Sequence, residues 1–357
     1  MNSTSPGALN TRQHFQILDG LRGLAAICVV IFHFAECIIF DYSKLFIGHG
    51  FLAVDFFFCL SGFVIAYAYD QRLEKIGVWQ FFKRRLIRLH PLVIIGAILG
   101  LLGFLFDPFS AIDQTYSIGK TALLFLSTLF LIPLPIMEDR YFNLFGLNAP
   151  AWSLFWEYIA NIVYVFVLYK INRKYLPALL LISAIGLIYV AYTSGNLAGG
   201  WSGDNFWQGS ARISYSFLAG LFIYRSNWIL KNNLGFLGLS ILLIGAFIAP
   251  HFSFNWLTEL LIVLIYFPLL VSLGAGATIS KGKAICKFLG DISYPLYMTH
   301  YWALWIFVGY LNTYKPDSTT LTFVVIGGVI FLILFAYLIM VLYDKPIRKY
   351  LSNRNQK

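Results

Sequence analysis

The chain has 357 residues, of which 59% are hydrophobic and only 12% charged, with a formal net charge of +10. Water-soluble domains carry about a quarter charged residues, so this composition excludes a soluble globular protein. The positive balance alone suggests a nucleic-acid partner, but the cations cluster at the ends of apolar runs, which points to membrane orientation and to no nucleic acid.

Residues before position 17 are polar and lack the basic start, apolar stretch and small-residue site of a cleavable signal, so the first apolar run is expected to be retained. Apolar runs near the ~20 residues that cross a hydrocarbon core follow at about 17–38, 51–69, 91–106, 121–136, 151–169, 176–193, 209–224, 234–250, 256–276, 288–310 and 321–343. Unbroken runs, rather than period-two alternation, mean helices and not a barrel. Basic residues flank alternate runs: Arg12 and Arg22 at the start, six from Arg72 to Arg88, then Lys170, Arg173 and Lys174, Arg225 and Lys231, Lys281, Lys283 and Lys287, and five in the tail. All face one side if the chain crosses ten times, whereas eleven crossings send more than half of them to the other side, against the positive-inside bias. The reading is therefore an all-α polytopic membrane protein of about ten transmembrane helices plus one re-entrant or partial segment. That segment is placed in 91–136, where Asp107, Pro108, Pro133 and Pro135 interrupt the runs. Both termini then face the cytoplasm: 1–16 as an N-terminal segment, 17–343 as the membrane domain, 344–357 as a basic tail.

Ionisable residues inside these runs are costly and so are functional candidates. The first helix carries Asp19, Arg22, His33 and Glu36. Arg22 to His33 is a step of eleven residues, 20° past three full turns, which puts both on one face ~16 Å apart along the axis. His33 is suited to general-base chemistry; paired with Glu36 it equally serves as a structural weld. Asp55, near the outer end of the second helix, orients a partner or caps structure. Arg84, Arg85 and Arg88 form a cationic patch if helical, fit for phosphate groups or for anionic lipid heads. The fifth helix opens at the outer face with Trp152, Ser153, Trp156 and Glu157; the tryptophans read as an interfacial belt or a sugar-stacking platform, and Glu157 as a group that binds or deprotonates a hydroxyl. Ser293, Tyr297 and His300 share a face of the tenth run, with Pro295 in its first turns. The four cysteines are scattered, without disulfide or zinc spacing, so no metal is expected.

Taken together, these segments resemble the membrane-bound acyltransferase 3 family. Leu18 to Ala26, with ten residues between Arg22 and His33 in its Arg/Lys-to-His pattern, is similar to the family's opening motif. Gly50 to Gly62, the run Arg84 to Arg88, Trp152-Ser153-Leu154 with Glu157, Gly290 to His300, and Asp344-Lys345-Pro346 with Arg348 resemble the others, in order. Asp344 stands where the family usually has Glu, and the run after Leu154 holds one acidic residue only. The resemblance implies an acyltransferase moving an acyl group, usually acetyl, from cytoplasmic acyl-CoA to a hydroxyl of an extracytoplasmic or lipid-linked carbohydrate, in the bacterial inner membrane and with no permanently bound cofactor. It implies His33, Glu157 and His300 as catalytic, and Arg22, Arg84, Arg85 and Arg88 as donor-binding. Asp19, Glu36, Asp55, Trp152, Ser153, Tyr297 and Asp344 are positioning residues. No hydrolase-like (SGNH-type) domain is expected after Tyr343, so transfer finishes in the membrane domain or with a separate acceptor-side protein. The competing reading is a proton-coupled exporter that uses the same polar stripe as a relay.

Overall fold

The computed structural model describes residues 15–278 and 282–354. Most of the expected N-terminal segment, with Arg12, Lys281 and Lys357, lies outside the described residues. Within them the chain is helical and no strand forms. That is the arrangement lipid demands, since each helix satisfies its own backbone polar groups. Six helices are long and apolar enough to cross a membrane: Gln16–Ile38, Gly50–Tyr69, Leu73–Leu105, Arg173–Ser194, Asn255–Gly276 and Ser318–Asn353. Ile118–Leu129 and Gly235–Phe247 are apolar but shorter.

The elements that build the site are α1 (Gln16–Ile38), α2 (Ala53–Tyr69), α3 (Leu73–Leu105), α4 (Ile118–Leu129), α5 (Ala151–Phe166), α6 (Leu176–Ser194) and α7 (Phe206–Ser226). They continue with α8 (Gly235–Phe247), α9 (Asn255–Leu261), α10 (Phe267–Gly276), α11 (Lys283–Thr299), α12 (Tyr301–Tyr314), α13 (Ser318–Ile339) and α14 (Lys345–Asn353). Three expectations about these elements need correction. The arginine run and the apolar run 91–106 are one helix, α3, because Pro91 is accepted in its interior and the chain turns at Gly77 instead (φ +76°, ψ 159°). The run 288–310 is two helices that break at His300. Pro295 lies well inside α11, not in its first turns, because that helix starts back at Lys283. Beyond α3, the segment 91–136 holds a one-turn 3₁₀ helix (Ile112–Thr115) and the 12-residue α4, the latter ~18 Å long against a core of ~30 Å.

What brings the site together is close backbone approach. A Cβ on Gly23 of α1 would lie 2.1 Å from the carbonyl oxygen of Leu289 in α11, and one on Gly62 of α2 would lie 2.0 Å from that of Phe217 in α7. Lipid tails are as apolar as Leu, so helices in a membrane associate through such small-residue contacts. The α1–α11 pair carries Arg22, His33, Ser293, Tyr297 and His300. Gly23→Ala is therefore expected to pry this pair apart at a cost of about 1–3 kcal/mol. Activity should fall further than stability does; equal losses in thermal unfolding and turnover would mean that the close approach does not set the site's geometry.

Two π-helical turns interrupt the long helices, at 262–266 and 340–344. Such turns concentrate at functional sites. The second ends at Asp344, which it leaves buried (1% exposed) between α13 and α14.

Candidate active site

A cavity of about 200 Å³ runs between α1, α2, α3, α5, α11 and the turn at Asp344. At one end stand Arg22, Arg88, Asp291, Asp344 and Arg348. Arg22 is fixed by donating from Nε to Ser293 Oγ (2.9 Å) and from Nη2 to the Gly290 carbonyl (2.9 Å), with Asp19 Oδ1 at 3.4 Å. Asp344 accepts from Arg348, one turn on. Deeper in the wall, Arg85 Nη2 donates to Glu157 Oε1 at 2.6 Å, and Ser61 Oγ donates to the same oxygen at 2.9 Å. One turn back on α5, Ser153 Oγ meets the Tyr297 hydroxyl at 2.7 Å. Both residues line the cavity.

Behind Tyr297 lie the histidines, whose rings do not line the cavity wall. His33 and His300 stack with centroids 5.4 Å apart and planes 21° from parallel. His33 Nδ1 donates to the Glu36 carboxylate, whose other oxygen accepts from the Tyr42 hydroxyl at 2.9 Å. A carboxylate on Nδ1 fixes the tautomer and leaves Nε2 as the working nitrogen. His300 is fully buried at the α11–α12 break; its Nδ1 donates to the Leu296 carbonyl (3.0 Å), and its Nε2 has no partner among the described residues. Tyr297 packs 6.1 Å from His300 on the cavity side, and Tyr301 stands edge-on to His33 at 5.2 Å on the other.

A second, open groove of about 600 Å³ adjoins the cavity through Arg88 and Arg348, which line both. Its other cations are Arg84, Lys345 and Lys349, and no carboxylate lines it. Three of the five come from the C-terminal segment, which the charge pattern marks only as an orienting tail.

Several expected placements change. Arg85 and Glu157 were to lie at opposite faces, yet they form one ion pair, because α5 carries Glu157 two turns in from its end to meet the inward side of α3. Arg84, Arg85 and Arg88 do not make a single patch: Arg84 and Arg88 line the groove, whereas Arg85 is buried (4% exposed) and neutralised by Glu157. The expected catalytic set divides in two, with His33 and His300 together and Glu157 in the cavity beyond Tyr297 and Ser153. Trp152 and Trp156 are neither belt nor platform: both are buried, Trp152 against Phe58 and the Arg212 guanidinium, Trp156 against Phe155, Phe206 and Trp207. Asp55 is buried in an ion pair with Arg212 (Oδ2 to Nη2, 2.6 Å), and Arg212 also donates to the carbonyls of Gly199 and Phe51. Arg212 had escaped notice as a site residue, although a cation inside the run 209–224 is the same signal that singled out His33. Among the described residues no cluster of metal-ligating groups forms.

Comparison with known proteins bears on this arrangement. The acyltransferase-domain family model (Acyl_transf_3) matches residues 15–341. Protein 2 in the picA locus of Rhizobium radiobacter is 32% identical over 188 residues, covering 50% of this chain and 95% of that protein. The peptidoglycan O-acetyltransferase OatA of Listeria monocytogenes is 24% identical over 339 residues, covering 86% of this chain and 52% of the relative. The O-acetyltransferase OatA of Staphylococcus aureus is 30% identical over 181 residues, covering 48% of this chain. The chain thus spans about half the Listeria protein, and the Staphylococcus match takes in 28% of its relative. No solved structure matches.

Proposed function

We propose, from the premise that the chain belongs to this acyltransferase family, that it transfers an acyl group, most simply acetyl, from cytoplasmic acyl-CoA to a carbohydrate hydroxyl presented from the other face of the membrane. The observation that carries the reading is the joined path of two spaces: a groove with five cations and no carboxylate in its wall, opening through Arg88 and Arg348 into a narrow cavity that ends one ring from a pair of histidines. A donor with a phosphorylated head and a long thin arm fits that path. The head would take the groove, where guanidinium forks and ammonium groups suit phosphates. The arm would pass Arg22, Ser61 and Glu157, and the thioester would stop near Tyr297.

The chemistry then falls to the histidines. His33, held by Glu36, takes the proton of the acceptor hydroxyl as its oxygen attacks the thioester carbonyl, the C–S bond breaks and that proton leaves on the CoA thiol. In a two-step transfer His33 first takes the acyl group with release of CoA and then yields it to the acceptor oxygen. The Tyr297 hydroxyl donates to Ser153, whose own hydroxyl donates to the Pro150 carbonyl, so its ring is held in place between the cavity and His300. The buried Arg85–Glu157 pair gives the cavity fixed dipoles without net charge. This orientation places the arginine run, α14 and both chain ends in the cytoplasm, in the bacterial inner membrane. A separate acceptor-side protein is compatible with it.

The test uses the purified chain in lipid nanodiscs with labelled acetyl-CoA and a panel of oligosaccharides, and reads thiol release that depends on acceptor. Release with none of them would refute the reading. Charge reversal in the groove, Lys349→Glu, is expected to raise the acetyl-CoA KM about tenfold, the worth of one charge-assisted phosphate contact, with kcat little changed. An unchanged KM would remove α14 from donor binding and leave its cations to anionic lipid.

A further inference from the structure

The three buried arginines among the described residues are Arg85, Arg140 and Arg212. Two are neutralised, Arg85 by Glu157 and Arg212 by Asp55. Arg140 is as buried as Arg85 (4% exposed) and makes no ion pair with any described residue. The carboxylates near enough to act on its charge, Asp107 and Asp139, stop short of an ion pair with it: Asp139 accepts from the Tyr116 hydroxyl, and Asp107 accepts from the Phe109 backbone. The guanidinium is held instead between the rings of Trp305 (4.7 Å) and Phe104 (5.1 Å), with one bond to the Gly146 carbonyl. Cation–π contacts and a carbonyl orient a charge but do not cancel it. An uncompensated buried charge is expensive.

Its surroundings share this incompleteness. The Trp305 indole N–H and the His300 Nε2 are buried without a partner among the described residues. Buried polar groups are nearly always paired, so two such orphans near a buried guanidinium point to an absent ligand. They are linked ring to ring: Trp305 packs on Tyr301 at 5.7 Å, and Tyr301 on His33 at 5.2 Å. The donor cavity reaches the histidines from the side of Tyr297. Arg140 reaches them from the opposite side, through Tyr301. The loop that presents it is also constrained, with Tyr141 and Phe142 both in the left-handed region (φ +55° and +51°). Strain in non-glycine residues collects at binding and catalytic sites.

We infer that Arg140, with Trp305 and Tyr301, forms an acceptor subsite for a carbohydrate that carries a carboxylate or phosphate near the hydroxyl to be acylated. The guanidinium, the indole N–H and the phenol O–H are the donors offered to the anion, against the carboxylates of Asp107 and Asp139 near Arg140 and of Glu36 near Tyr301, and the His300 Nε2 lone pair is open to a hydroxyl of the sugar. The inference rests on the acyltransferase reading for its acceptor, but not for its anion.

The test is binding in nanodiscs with CoA at saturation, so that the donor groove is filled. The probes are methyl glucuronide, glucose 6-phosphate and neutral methyl glucoside, read by tryptophan fluorescence. The wild type should bind the anionic sugars at least about tenfold more tightly than the neutral one. Arg140→Gln should level the three, Arg140→Lys should keep part of the preference, and Trp305→Phe should weaken the anionic probes while preserving the ring stack. No preference in the wild type, or an equal loss for all three sugars in Arg140→Gln, would reduce Arg140 to a staple for the loop that ends at Gly146. A wild type that binds the anionic sugars through Arg140 yet never releases CoA refutes the acyltransferase reading and leaves the subsite. One that acylates neutral and anionic sugars alike does the reverse.

Discussion

His33→Ala is expected to lower acyl transfer roughly a thousandfold, within the range that a positioned acid–base group supplies, while insertion and acyl-CoA binding stay intact. The expectation follows from where the ring is held. Glu36 occupies Nδ1, His300 lies against the ring face, and Tyr301 fixes its edge, so the imidazole is oriented from three sides with Nε2 left over. None of these contacts includes the donor cavity, so donor affinity should not move. Glu36→Gln keeps the packing but offers an amide where the carboxylate was; a loss of about tenfold is expected, the usual cost of removing a partner that orients a histidine. Rapid-quench mass analysis of wild-type protein with acetyl-CoA alone separates the two chemistries: an acetyl group on His33 means a carrier, and its absence with full turnover means a base. Wild-type turnover in the alanine variant would sink both.

The largest effect on stability is expected at Asp55. Asp55→Ala strands Arg212, which is 1% exposed and donates twice to that carboxylate's Oδ2 and once to its Oδ1. Removing one partner of a buried pair costs about 3–5 kcal/mol, because the other charge is left in low dielectric. Replacing both groups with apolar ones of similar size is far milder. Asp55→Ala with Arg212→Met should therefore recover most of the thermal stability lost by Asp55→Ala alone. If the double variant is as unstable as the single one, the pair matters through its carbonyl contacts to Gly199 and Phe51, not through its charge. Because this pair also packs on Trp152, whose neighbour Ser153 bonds Tyr297, the single variant should lose turnover as well.

Much of this molecule is legible in its sequence. Membrane class follows from composition, helix positions follow from run length, and the spacing of Arg22 and His33 on one helix face follows from the α-helical repeat. Where local rules failed, the failures share a cause. Glu157 was assigned to the far face because the charge count orients helix ends, whereas a side chain two turns inside a helix meets whatever its neighbour offers at that depth, here Arg85. The break at His300 was hidden because the run 288–310 is apolar on both sides of it. Pro295 and Pro91 mislead in the same way: the runs put Pro295 in the first turns of one helix and Pro91 at the head of an apolar run, and each sits inside a longer helix.

The sequence by itself determined that the chain is a set of long apolar helices, which side chains in those runs are too polar to be idle, and, through ordered motifs, the family. Those properties depend on residues near one another in the chain. Only the tertiary structure decided the partners: His300 against His33, Arg85 on Glu157, Arg212 on Asp55, the tail cations beside Arg84 and Arg88, and Arg140 with no carboxylate in contact. Partnership depends on the rotation and depth of helices far apart in sequence. Close contacts at residues such as Gly23 and Gly62 set those, and a glycine does not name the helix that will come to lie against it.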